Sequence, residues 1–248
     1  MTVAWCTGAG KGIGRAVAYR LARDGMCLAA SSRTVEDLEA LAAESAGLSG
    51  EIRPYRVDVT RKEEVSATVE AIEAEMGQLD LVILNAGTHT AVRAEDFEAG
   101  VFRRLMETNF MGTVNALAAV LPRLIERRSG HIAVVASVAG YRGLPTAAAY
   151  GASKAALINM CESLKPELDR HGVRLTLINP GFVKTPLTDR NEFRMPFLMD
   201  VEDAAERIAV GLKSHRFEVT FPKRFTWGMK AARCLPYALY FALTRRIG

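Results

Sequence analysis

The chain has 248 residues, of which 49% are hydrophobic and 24% are charged, and this composition indicates one large folded domain and excludes a disordered chain. The net charge of +4 is too small to indicate a nucleic-acid-binding protein. The four cysteines form no closely spaced pair, so we expect neither a zinc site nor a disulfide, and we expect all four to be small buried residues. Neither a secretory signal nor a membrane-spanning segment is recognisable, so the expected location is the cytoplasm.

The predicted elements alternate between strand and helix in chain order. Short apolar runs predict strands over residues 3–7, 26–31, 52–57, 81–85, 132–137, 174–179 and 217–221. Amphipathic spacing predicts helices over residues 14–23, 35–45, 62–76, 102–127, 150–171 and 201–213. Pro166 lies inside one of these helices, and we expect a bend or a break near Lys165. Strands that are apolar on both faces predict a doubly wound α/β fold, with a parallel sheet between two layers of helices.

A glycine-rich turn joins the first strand to the first helix. The sequence TGAGKGIG at residues 7–14 places Gly8, Gly12 and Gly14 where the backbone can turn tightly and approach a pyrophosphate. The helix that follows offers free N–H groups and the positive end of its dipole. A glycine cluster is also compatible with a plain tight turn, but its position between a strand and a helix favours a dinucleotide site.

The end of the second strand indicates which dinucleotide binds. An NAD site needs a carboxylate there, whereas this chain has Ser31, Ser32 and Arg33. Arg33 can bind a 2′-phosphate with Ser32 as a hydrogen-bond donor, and Lys11 adds a second cation. The alternative is a pair of solvated surface charges. The sequence therefore predicts NADP(H) rather than NAD(H).

Tyr150 and Lys154 stand four residues apart at the start of a predicted helix, which places them on one face. A free tyrosine has a pKa of about 10, and a neighbouring ammonium lowers it. A tyrosine tuned in this way can give or take a proton during the reduction of a carbonyl or the oxidation of an alcohol. The pair alone is common on protein surfaces, but Ser137 and Asn85 also stand at ends of predicted strands, where a cofactor would lie.

These motifs together resemble the short-chain dehydrogenase/reductase family in its single-domain form. The resemblance spans residues 3 to about 222 and rests on TGAGKGIG, Asp58, NAG at 85–87, Asn109, Ser137, YGASK at 150–154 and PGFVKT at 180–185. It implies a Rossmann-type, three-layer fold with seven parallel strands in the order 3-2-1-4-5-6-7. It also implies a homodimer or homotetramer that shares the helices at 102–127 and 150–171.

The same resemblance implies a catalytic tetrad of Asn109, Ser137, Tyr150 and Lys154. Tyr150 would be the acid or base, and Lys154 would lower its pKa and bind the nicotinamide ribose. Ser137 would donate to the substrate oxygen, and Asn109 would position a water that links Lys154 to solvent.

The resemblance also implies the set of residues that holds the cofactor. Asp58 would meet the adenine amine beside Val59, and Thr185 would reach the nicotinamide carboxamide. Besides Tyr150 and Lys154, the implied set is Gly8, Lys11, Gly12, Ile13, Gly14, Ser32, Arg33, Asp58, Val59, Asn85, Ala86, Gly87, Pro180, Gly181, Val183 and Thr185.

The substrate side is expected around the apolar loop at 182–200, which suits closure over a hydrophobic substrate or ordinary packing against the next helix. The substrate candidates are His89, Tyr141, Leu144, Phe182 and Phe197. No cluster of cations marks a site for a carboxylate or phosphate, so we expect a medium-sized apolar ketone, aldehyde or secondary alcohol.

The four histidines stand in different predicted elements, so we expect no metal cluster and assign each to the surface or a turn. These are His89, His131, His171 and His215. The tail at 225–248 is apolar with basic ends and too short to span a bilayer. It could lie on a membrane surface, cover the substrate pocket or form a subunit contact.

Two other functions remain open from the sequence. The first is a non-catalytic NADP(H)-binding sensor or scaffold on the same fold, against which the intact tetrad argues. The second is an epimerase or dehydratase, a class that generally needs a longer C-terminal substrate domain than the short stretch after the last predicted strand.

Overall fold

The computed structural model describes residues 2–188 and 195–245, and its centre is one parallel sheet. The strands are β1 (Val3–Thr7), β2 (Cys27–Ser32), β3 (Glu51–Arg56), β4 (Leu81–Leu84), β5 (His131–Val135), β6 (Arg174–Pro180) and β7 (Glu218–Phe221). Their order is β3-β2-β1-β4-β5-β6-β7, with every neighbouring pair parallel. The predicted fold class and strand order are confirmed.

Helices cover both faces of the sheet. They are α1 (Gly12–Arg23), α2 (Val35–Glu44), α3 (Lys62–Met76), α4 (Ala99–Leu105), α5 (Gly112–Arg127), α6 (Ala148–Arg170), α7 (Val201–Lys213), α8 (Lys223–Arg233) and α9 (Tyr237–Thr244). Successive strand residues point to opposite layers: Trp5 packs into the layer that holds α3, α5 and α6, whereas Ala4 and Cys6 pack into the layer with α1, α2 and α7. This alternation buries both faces of the central strands.

Two helical predictions need correction. The helix expected at 102–127 consists of α4, a π-helical turn at Met106–Met111 and α5. The helix does not break near Lys165 as the sequence suggested, because α6 continues through Pro166. Proline removes the hydrogen bond to the carbonyl of Glu162. Because Glu162 and Pro166 are both exposed, water can satisfy that carbonyl.

Three burial predictions were also wrong. Cys234 is exposed, although Cys6 and Cys161 are buried and all four cysteines are free thiols. His131 is buried in β5, where its Nε2 lies 2.8 Å from Thr176 Oγ1, and burial lowers its pKa to about 3. Of the six residues of strand β3 only Ile52 is buried, because the strand lies at the edge of the sheet, the position where its proline can be tolerated.

Among the described residues, no helix is both long and apolar enough to span a bilayer. The same residues contain no cluster of three His, Cys, Asp or Glu side chains able to hold a metal ion. The tail, expected only as an apolar segment, forms α8 and α9 as far as residue 245.

Candidate active site

The glycine turn between β1 and α1 brings backbone against backbone. Gly8 and Gly12 have positive φ angles of 67° and 56°, which side chains rarely allow. A Cβ on Gly14 would lie 2.3 Å from the carbonyl oxygen of Gly8. No side chain caps the N-terminus of α1, so its first N–H groups remain available to a phosphate. The turn therefore fits the pyrophosphate of a dinucleotide.

A cleft of about 400 Å³ extends from this turn along the C-terminal ends of the strands. Its lining includes most of the predicted cofactor residues: Gly8, Lys11, Gly12, Ile13, Ser32, Arg33, Asp58, Val59, Asn85, Ala86, Gly87 and Thr185. Sequence analysis missed Asp37, Thr88, Thr108 and Leu187, which line the same cleft. These residues follow the strand ends. They were missed because the elements that carry them reach the cleft through long-range packing.

Asp37 changes the electrostatics expected at the far end of the cleft. Its Oδ2 lies 3.3 Å from Lys11 Nζ, so the second cation is already paired. Arg33 is exposed at the same end, and Ser32 Oγ donates to the Thr34 carbonyl at 2.9 Å. The position of Asp37 in the first turn of α2, four residues after Arg33, was the signal that could have revealed it.

Asn85 ties together the two turns that line the cleft. Its Nδ2 donates to the carbonyl oxygens of Thr7 and Gly8, each at 3.1 Å. Thr7 Oγ1 accepts from the backbone N–H groups of Asn85 and Ala86 at 3.0 and 3.1 Å. The predicted cofactor residue therefore also holds the glycine turn against the end of β4, a role shared with the buried Thr7.

Ser137, Tyr150 and Lys154 line a second cavity of about 100 Å³. Pro180, Gly181 and Val183 line it too, as predicted for the cofactor site. The two cavities share a set of lining residues, so they form one continuous groove. These are Ile13, Asn85, Gly87, Thr185 and Leu187.

Tyr150 and Ser137 line the same cavity, and their side chains lie close enough to influence each other. Burial raises the pKa of Tyr150 above that of a free tyrosine, and the nearby Ser137 hydroxyl partly opposes this effect. The expected lowering by Lys154 is absent: its Nζ lies 5.7 Å from the centre of the tyrosine ring and donates to the Val135 carbonyl at 2.9 Å. Burial also lowers the pKa of Lys154 to about 8.

Asn109 lies fully buried in the π-helical turn, a type of irregularity often found at functional sites. Its Oδ1 accepts from Thr88 N at 2.7 Å, and its Nδ2 donates to Thr88 O at 3.0 Å and to Ser153 Oγ at 2.9 Å. Asn109 thus fastens the loop after β4 to α6, the helix that carries Tyr150 and Lys154.

The five substrate candidates are not among the residues that line the second cavity. His89 packs edge-on against the Tyr150 ring, with 4.9 Å between ring centres. Phe182 and Phe197 lie 5.5 and 6.2 Å from the ring of Phe225 in α8. Residues 189–194 of the predicted substrate loop fall outside the described residues.

Tyr141 is buried in the protein core and Leu144 is partly buried against it, and neither lines the cavity. The Tyr141 hydroxyl donates to Glu218, which also accepts from Asn179 Nδ2 at 2.7 Å. The sequence placed Tyr141 near Ser137 along the chain, but its partner lies in β7 and could not be inferred locally.

Comparisons with known proteins agree with this architecture. A family model described as short chain dehydrogenase matches residues 2–194. A protein of Myxococcus xanthus named "Uncharacterized oxidoreductase" is 41% identical over 241 residues, which are 97% of this chain and 95% of that relative.

Two similar solved structures hold different nicotinamide dinucleotides. An alcohol dehydrogenase from Thermococcus sibiricus complexed with 5-hydroxy-NADP has a TM-score of 0.81 and 28% identity, covering 89% of this chain and 96% of that chain. A short chain dehydrogenase/reductase from Burkholderia phymatum in complex with NAD has a TM-score of 0.83 and 25% identity, covering 92% of each chain. The present chain belongs to the short-chain dehydrogenase/reductase family and is an oxidoreductase with a Rossmann fold of the type that binds nicotinamide dinucleotides.

Proposed function

We propose that this protein uses NADP(H) to interconvert a carbonyl group and a secondary alcohol on a medium-sized apolar substrate. The observation that carries the proposal is the placement of Ser137, Tyr150 and Lys154 around one cavity that shares lining residues with the cleft of the glycine turn. When bound, the nicotinamide supplies or accepts the hydride. The protein side chains orient the substrate oxygen and move the proton.

The preference for NADP(H) is supported by Arg33, which is exposed at the end of the cleft where a 2′-phosphate would lie. The fold does not decide the matter, because one similar structure holds an NADP analogue and another holds NAD. Asp37 opposes a phosphate at this end, but its charge is paired with Lys11. A guanidinium that can form two parallel hydrogen bonds to a phosphate favours NADP(H).

In the proposed mechanism, Ser137 donates to the substrate oxygen and holds it beside the Tyr150 hydroxyl. Because burial raises the pKa of Tyr150, its phenol is protonated at neutral pH and is ready to donate a proton to a developing alkoxide. This state suits carbonyl reduction. Lys154, anchored by the Val135 carbonyl, would contact the nicotinamide ribose, and Asn109 would position a water beside it.

Replacement of Tyr150 by Phe tests the proposal. We expect turnover to fall by roughly a hundredfold to ten-thousandfold, the usual contribution of a positioned proton donor, while NADPH still binds. The measurement is NADPH oxidation across aldehydes, diketones, steroids and acyl thioesters, with cofactor binding followed separately by fluorescence. A Tyr150→Phe variant that retains turnover would overturn the proposed mechanism, and a wild-type chain that binds NADPH but reduces no carbonyl would favour a sensor.

A further inference from the structure

The two C-terminal helices expose an unusual number of large apolar side chains. Five of these side chains are between 51% and 72% exposed: Trp227, Tyr237, Leu239, Phe241 and Leu243. Of the described side chains in α9, Tyr240 is the one that is buried. Tyr237 and Phe241 stack with their ring centres 5.7 Å apart, so these two exposed rings form one apolar patch, and such a patch marks a site of interaction in a folded protein.

The charged residues of this stretch of the sequence all have one sign. Residues 222–248 contain no Asp or Glu, but they contain Lys223, Arg224, Lys230, Arg233, Arg245 and Arg246. On α8 the exposed Trp227 stands three or four residues from Lys223, Arg224 and Lys230, so these cations are its neighbours on the helix surface. Glu218 in β7 pairs with Lys230 and therefore neutralises one of these cations.

The same helices are fixed to the body of the protein by polar contacts on their inner side. Arg142 Nη1 donates to the carbonyl oxygens of Ala232, Arg233 and Leu235 at 3.1, 2.7 and 2.9 Å. Its guanidinium carbon lies 4.3 Å from the ring centre of Tyr240, whose hydroxyl donates to the Gly143 carbonyl. These contacts orient the helices, so their apolar side chains remain directed to solvent.

We propose that the surface formed by α8 and α9 binds an anionic lipid bilayer, with its aromatic and aliphatic side chains inserted at the interface. Apolar side chains beside cations are the pattern by which interfacial helices bind such membranes. The positive charge also disfavours a second copy of this chain as the partner. A two-fold contact would place two copies of the same cationic surface against each other, and they would repel.

The proposed membrane surface adjoins the substrate side of the active site. Phe225 of α8 packs between Phe182 and Phe197, and its ring would lie 2.9 Å from a Cβ placed on Gly181, which lines the smaller cavity. A bound bilayer would therefore lie next to the smaller cavity. If the proposed function holds, on which this step rests, the substrate is a carbonyl or alcohol dissolved in the membrane.

Vesicle flotation of the full chain tests the membrane surface. We expect binding to vesicles of phosphatidylcholine mixed with phosphatidylglycerol, weaker binding to phosphatidylcholine alone, and loss of binding at high salt. Leu239→Gln and Phe241→Gln should each weaken binding roughly tenfold or more. Arg224→Gln should weaken it about fivefold.

Matched controls separate this effect from a general loss of apolar or charged surface. Val210 is 59% exposed on α7, and Lys62 is exposed on α3, so Val210→Gln and Lys62→Gln should bind as the wild type does. Circular dichroism and NADPH binding report whether each variant is folded. Equal flotation of the Leu239→Gln and wild-type chains would overturn the proposal. So would a change in oligomeric state of that variant by size exclusion, because the surface would then be a subunit contact.

A second measurement tests the substrate class. The ratio of turnover of a long-chain ketone in anionic vesicles to turnover of a short water-soluble ketone should fall in Phe241→Gln. If vesicle binding is lost but this ratio is unchanged, the inference that the substrate is dissolved in the membrane is wrong, whereas the membrane-binding surface stands. No turnover of either ketone by the wild type would contradict the proposed function and leave the flotation result as the separate test of the surface.

Discussion

The proposed cofactor side and the proposed substrate side of the groove are built in different ways. On the cofactor side, backbone atoms lie so close that Gly14 has no room for a side chain beside Gly8. Behind the proposed substrate side, the packing depends on side chains that are distant in the sequence, such as Tyr141 with Glu218 and Phe182 with Phe225. The first arrangement tolerates little change, whereas the second can vary in shape without loss of the fold.

Two glycines offer the strongest test of this comparison. In Gly14→Ala the new Cβ would meet the Gly8 carbonyl at 2.3 Å, so we expect a loss of about 3 kcal/mol in the free energy of unfolding and loss of NADPH binding. A Cβ placed on Gly228 in α8 would have no other atom within 4 Å, and Gly228→Ala should gain up to about 1 kcal/mol from helix propensity. Urea unfolding and fluorescence titration with NADPH measure both. Equal urea midpoints for the two variants would contradict the close approach at Gly14.

Lys154, at the junction of the two sides, predicts a pH dependence of stability. Its folded pKa of about 8 lies below the ordinary value of 10.5. Between these values the unfolded chain binds a proton that the folded chain lacks, so the free energy of unfolding rises with pH, by up to about 3 kcal/mol. Below pH 8 both states are protonated and this contribution is constant.

The measurement is urea unfolding of the wild type and of Lys154→Met at pH 8 and at pH 10.5. Other groups titrate in this window in both proteins, so the difference between the two pH dependences isolates Lys154. We expect the variant to lose the rise that Lys154 provides. Parallel pH dependences would show that this lysine keeps an ordinary pKa in the folded protein.

The same contrast explains what could be predicted from the sequence. The helices α3 (Lys62–Met76) and α7 (Val201–Lys213) match the prediction because their amphipathic pattern is local. The glycine turn is also local, and its residues line the predicted cleft. These features depend on short-range spacing and on the rule that ligands bind at strand ends.

Features that depend on contacts across the fold were not predicted. The burial of His131 depends on Thr176 in the neighbouring strand, and the position of Tyr141 depends on Glu218. The pKa of Tyr150 is raised, whereas the sequence predicted that it would be lowered. Burial raises it, and the Lys154 amine does not lower it because that amine is held by a main-chain carbonyl. Sequence spacing showed which residues share a helix face, but it could not show the degree of their desolvation.

Arg33→Asp tests the cofactor side with a smaller expected effect. A hydrogen-bonded charge pair with a 2′-phosphate contributes about 1.5–3 kcal/mol, so NADPH affinity should fall roughly tenfold to a hundredfold, with little change for NADH. The matched control is Arg207→Asp, an exposed arginine of α7 that does not line the cleft. Fluorescence titration with both cofactors measures the effect. Unchanged NADPH affinity in Arg33→Asp would remove the basis for the proposed NADP(H) preference.

Asp37→Asn gives the smallest effect and tests the one acidic side chain that sequence analysis missed at this end of the cleft. The ion pair with Lys11 is largely exposed, with 65% of the lysine side chain accessible, and such pairs contribute about 0–1 kcal/mol. Removing the carboxylate frees Lys11 and also removes a negative charge from the end of the cleft where the proposed 2′-phosphate would lie. We therefore expect NADPH affinity to rise about twofold to fivefold while NADH affinity stays constant. Glu36→Gln is the control, because Glu36 precedes Asp37 in the same first turn of α2 but does not line the cleft. Equal gains in NADPH affinity in both variants would assign the effect to net charge rather than to the pairing of Lys11. The cofactor end of the groove would then tolerate changes of individual side chains, as we expect of the substrate side.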